Sequence, residues 1–196
     1  MIEKIQKSIS QSISVKEMML HDTPMLQTLE AICREAIEGY TNGKKILIAG
    51  NGGSAADAQH IAAELVARFY FDRAALAAIA LTTDSSILTA VGNDYGFESL
   101  FSRQIEAHAH EGDIFIALST SGNSPNILQA IQSAKQRGVK IVGLTGAKEG
   151  KMDRLCDYII KVPSTDTPRI QEAHIMIGHI FCQMVEEQIF HPLATS

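Results

Sequence analysis

Aromatic residues are scarce in this chain: they make up 6% of its 196 residues, and tryptophan is absent. Neither sign of charge dominates, since 22 acidic side chains stand against 17 basic ones and the formal net charge is −5. A mildly acidic chain with few aromatics lacks the basic surface that binds a phosphate backbone and the rings that stack on bases. We therefore expect no nucleic-acid partner.

Cysteines and long apolar runs are also few. The three cysteines, Cys33, Cys156 and Cys182, form no Cys-x-x-Cys motif, and this odd, scattered set excludes a disulfide framework and a structural zinc–thiolate site. Polar residues separate the N-terminal isoleucines, unlike the core of a signal peptide. No apolar run reaches the roughly 20 residues of a membrane span. These features predict a cytoplasmic protein with no membrane partner.

The first part of the chain has the pattern of two helices. Isoleucines at positions 2, 5, 9 and 13 recur at intervals of three and four, the period of one helix face. A break at residues 21–24 follows, where Thr23 is the candidate cap. We predict that residues 1–43 form two helices, belong to the same unit as the rest of the chain and contribute to an oligomer interface. Packing against the sheet is the alternative role for their apolar stripes.

Short apolar runs between helical patterns fill the remainder of the chain. The runs lie at residues 46–49, 76–81, 114–118, 141–144 and 158–162. Fully apolar strands between helices are typical of a parallel sheet covered on both faces. We predict a doubly wound α/β domain over residues 44–196, with a mainly parallel five-stranded sheet and an N-terminal helical extension. A final helix at about 168–190 is apolar nearly all round, which favours a subunit interface.

A glycine-rich turn follows the first apolar run. Gly-Asn-Gly-Gly-Ser at residues 50–54 leads into a helix expected from Ala55, and glycines at such a junction let backbone N–H groups face an anion. The turn also fits a loose dinucleotide fingerprint, but the acidic residue expected after the second strand, Asp84, comes about ten residues late. Ser54 and Asp57 further fit a capping box.

Hydroxyl side chains cluster after the third apolar run, where Ser119, Thr120, Ser121 and Ser124 precede a helix start at Pro125. Four hydroxyls and a helix N-terminus at the carboxyl end of a parallel strand form a neutral cradle for a phosphate group. Open α/β sheets bind ligands at this position. No lysine follows at P-loop spacing, so we expect a small phosphate ester rather than a hydrolysed nucleotide.

Side chains with metal-ligand and acid–base chemistry lie on two predicted helices. His60 and Glu64 stand at i and i+4 after the glycine turn, and the last helix carries Gln171 and His179. Imidazole and carboxylate groups suit zinc or a similar cation. A carboxylate near a histidine also suits proton transfer on a carbon acid. Spacing alone leaves metal binding, proton transfer and ordinary packing open.

Five segments occur in an order that carries a family resemblance. They are the glycine turn, the helix with His60 and Glu64, residues 91–97 (Val-Gly-Asn-Asp-Tyr-Gly-Phe), the hydroxyl cluster and residues 169–174 (Arg-Ile-Gln-Glu-Ala-His). Together they resemble the sugar isomerase (SIS) domain family, and within it the phosphoheptose isomerases, which act on sedoheptulose 7-phosphate. The resemblance covers nearly the whole chain, and the five segments in order are more specific than the hydroxyl cluster alone.

The resemblance implies roles for the matching residues. Substrate contacts are implied for Asn51, Gly52, Gly53, Ser54, Glu64, Arg68, Asn93, Asp94, Ser119, Thr120, Ser121, Ser124 and Gln171, with the hydroxyl cluster on the phosphate. One zinc ion per subunit is implied, held by His60, Glu64, Gln171 and His179. Glu64 and His179 match the catalytic acid/base pair, and which of them takes the carbon proton stays open. Homotetramers whose active sites are shared between neighbouring subunits are also implied.

The implied reaction converts sedoheptulose 7-phosphate to D-glycero-D-manno-heptose 7-phosphate through an enediolate, the first step of ADP-heptose and lipopolysaccharide core synthesis. Alternatives remain. Non-enzymatic SIS regulators that bind the replication initiator DnaA share the scaffold, but they lack the carboxylate and the last-helix histidine that this chain has at Glu64 and His179. An SIS isomerase for another sugar phosphate would have the same cradle. A nicotinamide dehydrogenase would leave the hydroxyl cluster unexplained.

Overall fold

Five parallel strands form the centre of the fold. The computed structural model describes residues 1–190. Its strands are β1 (Ile46–Ala49), β2 (Ala78–Ala80), β3 (Ile114–Leu118), β4 (Lys140–Thr145) and β5 (Tyr158–Lys161), in the spatial order β2-β1-β3-β4-β5. Its α-helices are α1 (Ile2–Leu20), α2 (Thr23–Thr41), α3 (Gly53–Val66), α4 (Ser85–Tyr95), α5 (Ser102–His108), α6 (Pro125–Gln136) and α7 (Thr167–Phe190). None of these helices is both long and apolar enough to cross a membrane. The predicted α/β class with a parallel sheet is confirmed.

The central strands are apolar on both faces because helices cover both sides of the sheet. Along β1, Ile46 and Ile48 belong to the core shared with α2, α3 and α7, whereas Leu47 and Ala49 belong to the core shared with α5 and α6. Both β1 and β3 are buried along their whole length, and the edge strands β2 and β5 are only partly buried. The continuous apolar runs of the sequence therefore correspond to the middle of the sheet.

The order of the strands places a crevice between β1 and β3. The chain leaves β1 towards β2 on one side and later returns to β3 on the other, so the strand order reverses between them. Ala49 pairs with Ala117, so the carboxyl ends of these strands lie side by side. Ligands of open α/β sheets bind at such switch points. The glycine turn and the hydroxyl cluster are thus neighbours at one edge of the sheet.

The two N-terminal helices form, and the break between them lies where it was predicted. Asp22 caps α2, since its side-chain oxygen accepts the backbone N–H of Met25 at 3.0 Å. Thr23 was the predicted cap, and this was wrong because Thr23 is already the first helical residue. A carboxylate at this position also interacts favourably with the helix dipole. Val15 and Met19 of α1 are buried in the core that contains α7.

Several boundaries differ slightly from their predictions. The strand expected at 76–81 is limited to Ala78–Ala80, and α7 begins at Thr167. Helix α3 begins at Gly53, two residues before the predicted start, because Gly52 at its N-cap takes the positive φ of 57° that ends the turn. Ser54 lies inside the first turn, so the capping box predicted with Asp57 was wrong. The predicted domain extends to residue 196, and residues 191–196 lie outside the described part.

One buried titratable residue in α7 makes the stability of the fold depend on pH. His174 is fully buried, and its Nε2–H donates to the carbonyl of Thr145 at 3.2 Å, while Nδ1 is buried without a hydrogen-bond partner. Burial lowers the pKa of His174 from its ordinary 6.5 to about 4, although the hydrogen bond to Thr145 opposes the shift. His174 is therefore neutral in the folded protein at neutral pH.

We expect the His174 contribution to stability to be complete above pH 6.5 and to be lost as the pH falls towards 4, because the unfolded chain takes up the proton first. The loss amounts to about 3 kcal/mol, because each pKa unit corresponds to about 1.4 kcal/mol. In thermal unfolding between pH 7 and 4, H174Q should lose part of the pH dependence, since an amide can donate to Thr145 without titrating. H21Q changes an exposed histidine and serves as the control. Equal pH slopes for wild type and H174Q would contradict the assignment.

Candidate active site

The turn after β1 is built by glycines that allow close approach. A methyl group at Gly50 would lie 2.6 Å from the carbonyl oxygen of Ser54, and one at Gly53 would lie 2.5 Å from Nε2 of Gln171. The side chain of Gln171, from α7, therefore lies directly on the first turn of α3. Within the turn, the N–H of Ser54 donates to the carbonyl of Asn51 at 3.0 Å, and Ser54 itself is buried.

The hydroxyl cluster after β3 converges on one point. Ser119 Oγ lies 2.9 Å from Ser124 Oγ and 3.4 Å from Ser121 Oγ. Ser121 Oγ also accepts the backbone N–H of Asn123 at 3.2 Å. No positively charged side chain belongs to this group of hydroxyls, so the loop offers neutral donors and the N-terminus of α6 to an anion. This arrangement can hold a phosphate group.

A reciprocal pair of amides joins the two loops. Asn51 Nδ2 donates to Asn126 Oδ1 at 2.9 Å, and Asn126 Nδ2 donates to Asn51 Oδ1 at 2.8 Å. Asn126 is buried in the first turn of α6, and its Oδ1 also accepts the N–H of Ile127. The pair fixes the spacing between the glycine turn and the hydroxyl cluster. It also engages one donor and one acceptor of Asn51, a residue that the resemblance places on the substrate.

Two helices bring a histidine–carboxylate cluster together. His60 and Glu64 lie one turn apart on α3, with His60 Nε2 at 3.0 Å from Glu64 Oε1. His179 of α7 approaches from the other side, with its Nε2 at 3.4 Å from His60 Nε2. The candidate ligand atoms of all three side chains lie within 4.8 Å of one another. The side chains of His60 and Glu64 remain 48% and 25% exposed, so the cluster is open to small molecules.

Helices α3 and α7 pack closely beside the cluster. A methyl group at Gly178 would lie 2.6 Å from Cδ1 of Ile61, so a larger residue at that point would force the Ile61 side chain to shift. Gly178 precedes His179, and Ile61 follows His60 along the chain. The close contact therefore lies directly beside the residues whose nitrogens face each other.

The donor set of the cluster fits zinc. Two imidazoles and one carboxylate are the protein ligands of a well-known class of catalytic zinc sites, in which a further position is left for water or substrate. Gln171, the fourth predicted ligand, lies about two helical turns before His179 on α7, and its amide contacts Gly53. Three of the four predicted ligands are therefore brought together within the chain, and Gln171 stands at the glycine turn.

Asp57 is a second carboxyl group on the same helix. It lies one turn before His60, and its Oδ2 is buried without a hydrogen-bond partner. Burial raises the pKa of Asp57 to about 6, and the neighbouring His60 acts in the opposite direction. The sequence indicates only a capping role for Asp57, because nothing in the spacing distinguishes a half-buried carboxyl from an exposed one.

The remaining predicted site residues lie around the crevice or at its edge. Thr120 is half-buried, and its carbonyl accepts the N–H of Gly146 at 3.2 Å. Arg68 is exposed just after α3. Asn93 and Asp94 are exposed at the end of α4, where the Asn93 amide donates to the Asp94 carboxylate at 2.7 Å. Within one chain, these three exposed residues are not drawn into the histidine–carboxylate cluster.

Comparison with known proteins identifies the family. The SIS domain family matches residues 10–146. The "Phosphoheptose isomerase" of Aneurinibacillus thermoaerophilus is 63% identical over 190 residues, which cover 97% of this chain and 96% of that protein. The "Phosphoheptose isomerase 2" of Campylobacter jejuni is 59% identical over 186 residues, which cover 95% and 92% of the two chains. The chain belongs to the phosphoheptose isomerase family.

A solved structure agrees with this family membership. The structure described as a phosphoheptose isomerase from Francisella tularensis superposes with a TM-score of 0.91 at 35% identity. The match covers 95% of this chain and 98% of the other. Because the match covers nearly the full length of both chains, it includes the N-terminal helices.

Asn126 and the pair of Arg73 and Glu186 were not predicted from the sequence. Asn126 stands two positions beyond Ser124, and a buried amide in a first helical turn has no distinct local signal. Arg73 and Glu186 form a buried ion pair at 2.8 Å, with side-chain exposures of 2% and 0%. A glutamate within the apolar pattern of the last helix was the one available sign that Glu186 is buried and paired.

We expect N126L to weaken binding of inorganic phosphate, because loss of the amide pair releases the hydroxyl cluster from the glycine turn. The substitution should also lower the free energy of unfolding by about 1–3 kcal/mol, since Asn51 loses its partner. Calorimetric titration with phosphate and denaturant unfolding measure the two effects. Q104L is the matched control, because the buried Gln104 amide donates to the carbonyls of Leu81 and Leu100 and not to Asn51. Equal phosphate affinity in both variants and wild type would refute the role of the pair.

Proposed function

We propose that this protein is an aldose–ketose isomerase that converts sedoheptulose 7-phosphate to D-glycero-D-manno-heptose 7-phosphate, the first step of ADP-heptose and lipopolysaccharide core synthesis. The observation that carries the proposal is the cluster of His60, Glu64 and His179 on α3 and α7, in a chain whose third strand ends in a hydroxyl-lined loop. Family membership supports the choice of substrate, since the relatives are named for a phosphorylated heptose.

The phosphate of the substrate would bind at the hydroxyl cluster. Ser119, Ser121 and Ser124 converge within hydrogen-bond reach of one another, and the residues proposed to complete this end are Thr120 and the first turn of α6. Anchoring the far end of the chain holds the reacting carbons in one place, and such positioning lowers the barrier of the chemical step. Asn51, Gly52, Gly53, Ser54, Arg68, Asn93, Asp94 and Gln171 are the proposed contacts along the sugar.

The metal site of the proposal uses the same cluster. His60, Glu64 and His179 would hold one zinc ion per subunit, with Gln171 proposed as the fourth ligand. When bound, zinc supplies Lewis-acid polarisation of a carbonyl oxygen. The imidazole nitrogens and the carboxylate are chemically suited to it, and their atoms already face one another.

The chain's own residues would move the protons. Conversion of a 2-ketose to an aldose takes a proton from C1 and returns one to C2 through an enediolate, while a second proton moves between the two oxygens. We assign the carbon proton to Glu64 and the oxygen proton to His179, since both lie at the cluster and have suitable acid–base chemistry. The Glu64 side chain is 25% exposed and His179 is half-buried, so the sugar would have access to both groups.

We expect E64Q to lose at least roughly a hundredfold in turnover of sedoheptulose 7-phosphate, the low end for removal of a general base. Binding of the phosphate ester should survive, because the hydroxyl cluster is unchanged. Steady-state kinetics and calorimetric binding on the zinc-loaded protein separate the two. E3Q, at an exposed position of α1, is the control. An E64Q protein with wild-type turnover would eliminate Glu64 as the base.

We also propose that the protein assembles as a homotetramer in the cytoplasm. The isoleucine stripe of α1 is unusually exposed: Ile5, Ile9 and Ile13 are each more than half exposed. A groove of about 400 Å³ lies beside it among α1, α2 and α7, and a second groove of about 590 Å³ lies between α2 and α7. Leu26 and Ile180 line both. Contiguous apolar surface of this kind is typical of subunit interfaces. Residues 1–43 would then be part of the same unit as residues 44–196 and supply much of its interface.

We expect L26D to dissociate the tetramer, because it places a charge in the wall shared by both grooves. Sedimentation velocity at micromolar concentration measures the assembly state. Q132D changes an exposed polar position on α6 and should leave the tetramer intact. A monomeric wild-type protein, or a tetramer that persists in L26D, would contradict the proposed interface.

A further inference from the structure

We propose that the buried ion pair of Arg73 and Glu186 is a positioning device for the histidine–carboxylate cluster. It would set the relative placement of α3 and α7, and with it the spacing of Glu64 and His179. The inference rests on the proposed function of that cluster, and neither residue of the pair touches the candidate ligand atoms.

Arg73 holds the end of α3 that carries Glu64. Its Nη2 donates to the carbonyl of Glu64 at 2.9 Å, and its Nη1 donates to the carbonyl of Leu65 at 2.7 Å. Helix α3 ends at Val66, so these carbonyls belong to its last turn, where backbone acceptors lack partners within the helix. The planar guanidinium can serve two carbonyls and a carboxylate at once, which an ammonium group cannot do with the same geometry.

Glu186 ties the same guanidinium to α7. One of its oxygens accepts Arg73 Nε at 2.8 Å and the N–H of Phe69 at 2.7 Å, and the other accepts the N–H of Tyr70 at 2.6 Å. Burial would raise the pKa of Glu186, but the two N–H groups and the Arg73 guanidinium together hold it below its ordinary value. The buried pair is therefore ionised and fully hydrogen-bonded.

The connection to His179 runs through the helix and through one ring. Glu186 lies seven residues after His179, two turns along the same face of α7. The ring of Phe69, whose N–H is held by Glu186, lies 5.8 Å from the His179 ring. The ion pair thus contacts the backbone of Glu64 through Arg73. Through Glu186 it contacts the backbone of Phe69, whose ring lies beside His179.

A purely stabilising role explains this arrangement less well. Replacing a buried ion pair by apolar groups of similar volume is often neutral or stabilising, so burial of the pair is weak support for stability alone. Partners that orient metal ligands, in contrast, typically contribute about 10–100-fold to metal affinity or activity. Because Arg73 donates directly to the carbonyl of Glu64, a candidate metal ligand, we assign the pair a role in orienting metal ligands.

The test compares R73K and E186Q with a control ion pair outside the contact between α3 and α7. Lys45 and Asp113 join the amino ends of β1 and β3, and Asp113 is buried, so D113N removes an ion pair whose hydrogen bonds go to Lys45 and His110 rather than to α3 or α7. Zinc affinity is measured by chelator competition, cobalt(II) substitution reports the ligand field by absorption, and thermal unfolding reports stability.

We expect R73K and E186Q to weaken zinc binding at least roughly tenfold and to alter the cobalt spectrum, while D113N lowers the unfolding temperature without either change. R73K keeps the positive charge at this position, so it tests the positioning role even if E186Q fails to fold. Wild-type zinc affinity and spectrum in both variants, or an equal loss in D113N, would overturn the positioning role.

A wild-type protein that binds no zinc would refute the proposed metal site rather than the positioning role. The positioning role is then tested in the metal-free protein by the NMR chemical shifts of the His60 and His179 rings. These shifts should move in R73K and stay unchanged in D113N. Unchanged shifts in R73K would overturn the inference.

Discussion

The close contact between α3 and α7 is the constraint on which the site depends. A methyl group at Gly178 would meet the side chain of Ile61, and a methyl group at Gly53 would meet the side-chain amide of Gln171. His60 and Glu64 come from one helix and His179 from the other, so the cluster exists only while the two helices keep this spacing. A larger side chain at Gly178 would force a shift of Ile61, the neighbour of His60 on α3.

The two clusters offer chemically different groups. The proposed function places the phosphate at the neutral hydroxyls and the helix N-terminus, where hydrogen bonds and oriented dipoles would recognise the anion. It places the reacting carbons at the imidazoles and the carboxylate. Since the amide pair of Asn51 and Asn126 fixes one loop against the other, the hydroxyl end is held relative to the start of α3, the helix that carries the reacting end.

Local features of the sequence predicted most of the fold, but they did not predict contacts between residues that are far apart in the chain. Apolar runs predicted β1 and β3, because a strand that is buried on both faces of the sheet is apolar at every position. The i, i+4 spacing placed His60 beside Glu64 without further information. The approach of His179, 119 residues from His60, came only from family resemblance, and the Arg73–Glu186 pair, separated by 113 residues, was not foreseen. These contacts depend on how α3 and α7 pack, which composition and periodicity do not encode.

The most direct test is conversion of sedoheptulose 7-phosphate by the purified protein, first stripped of metal and then restored with zinc, with the product followed by NMR. The account predicts that the aldose heptose 7-phosphate forms with the zinc-restored protein and that conversion falls to background after stripping. No conversion in either state would contradict the isomerase, and equal conversion in both would contradict the role given to the cluster of His60, Glu64 and His179.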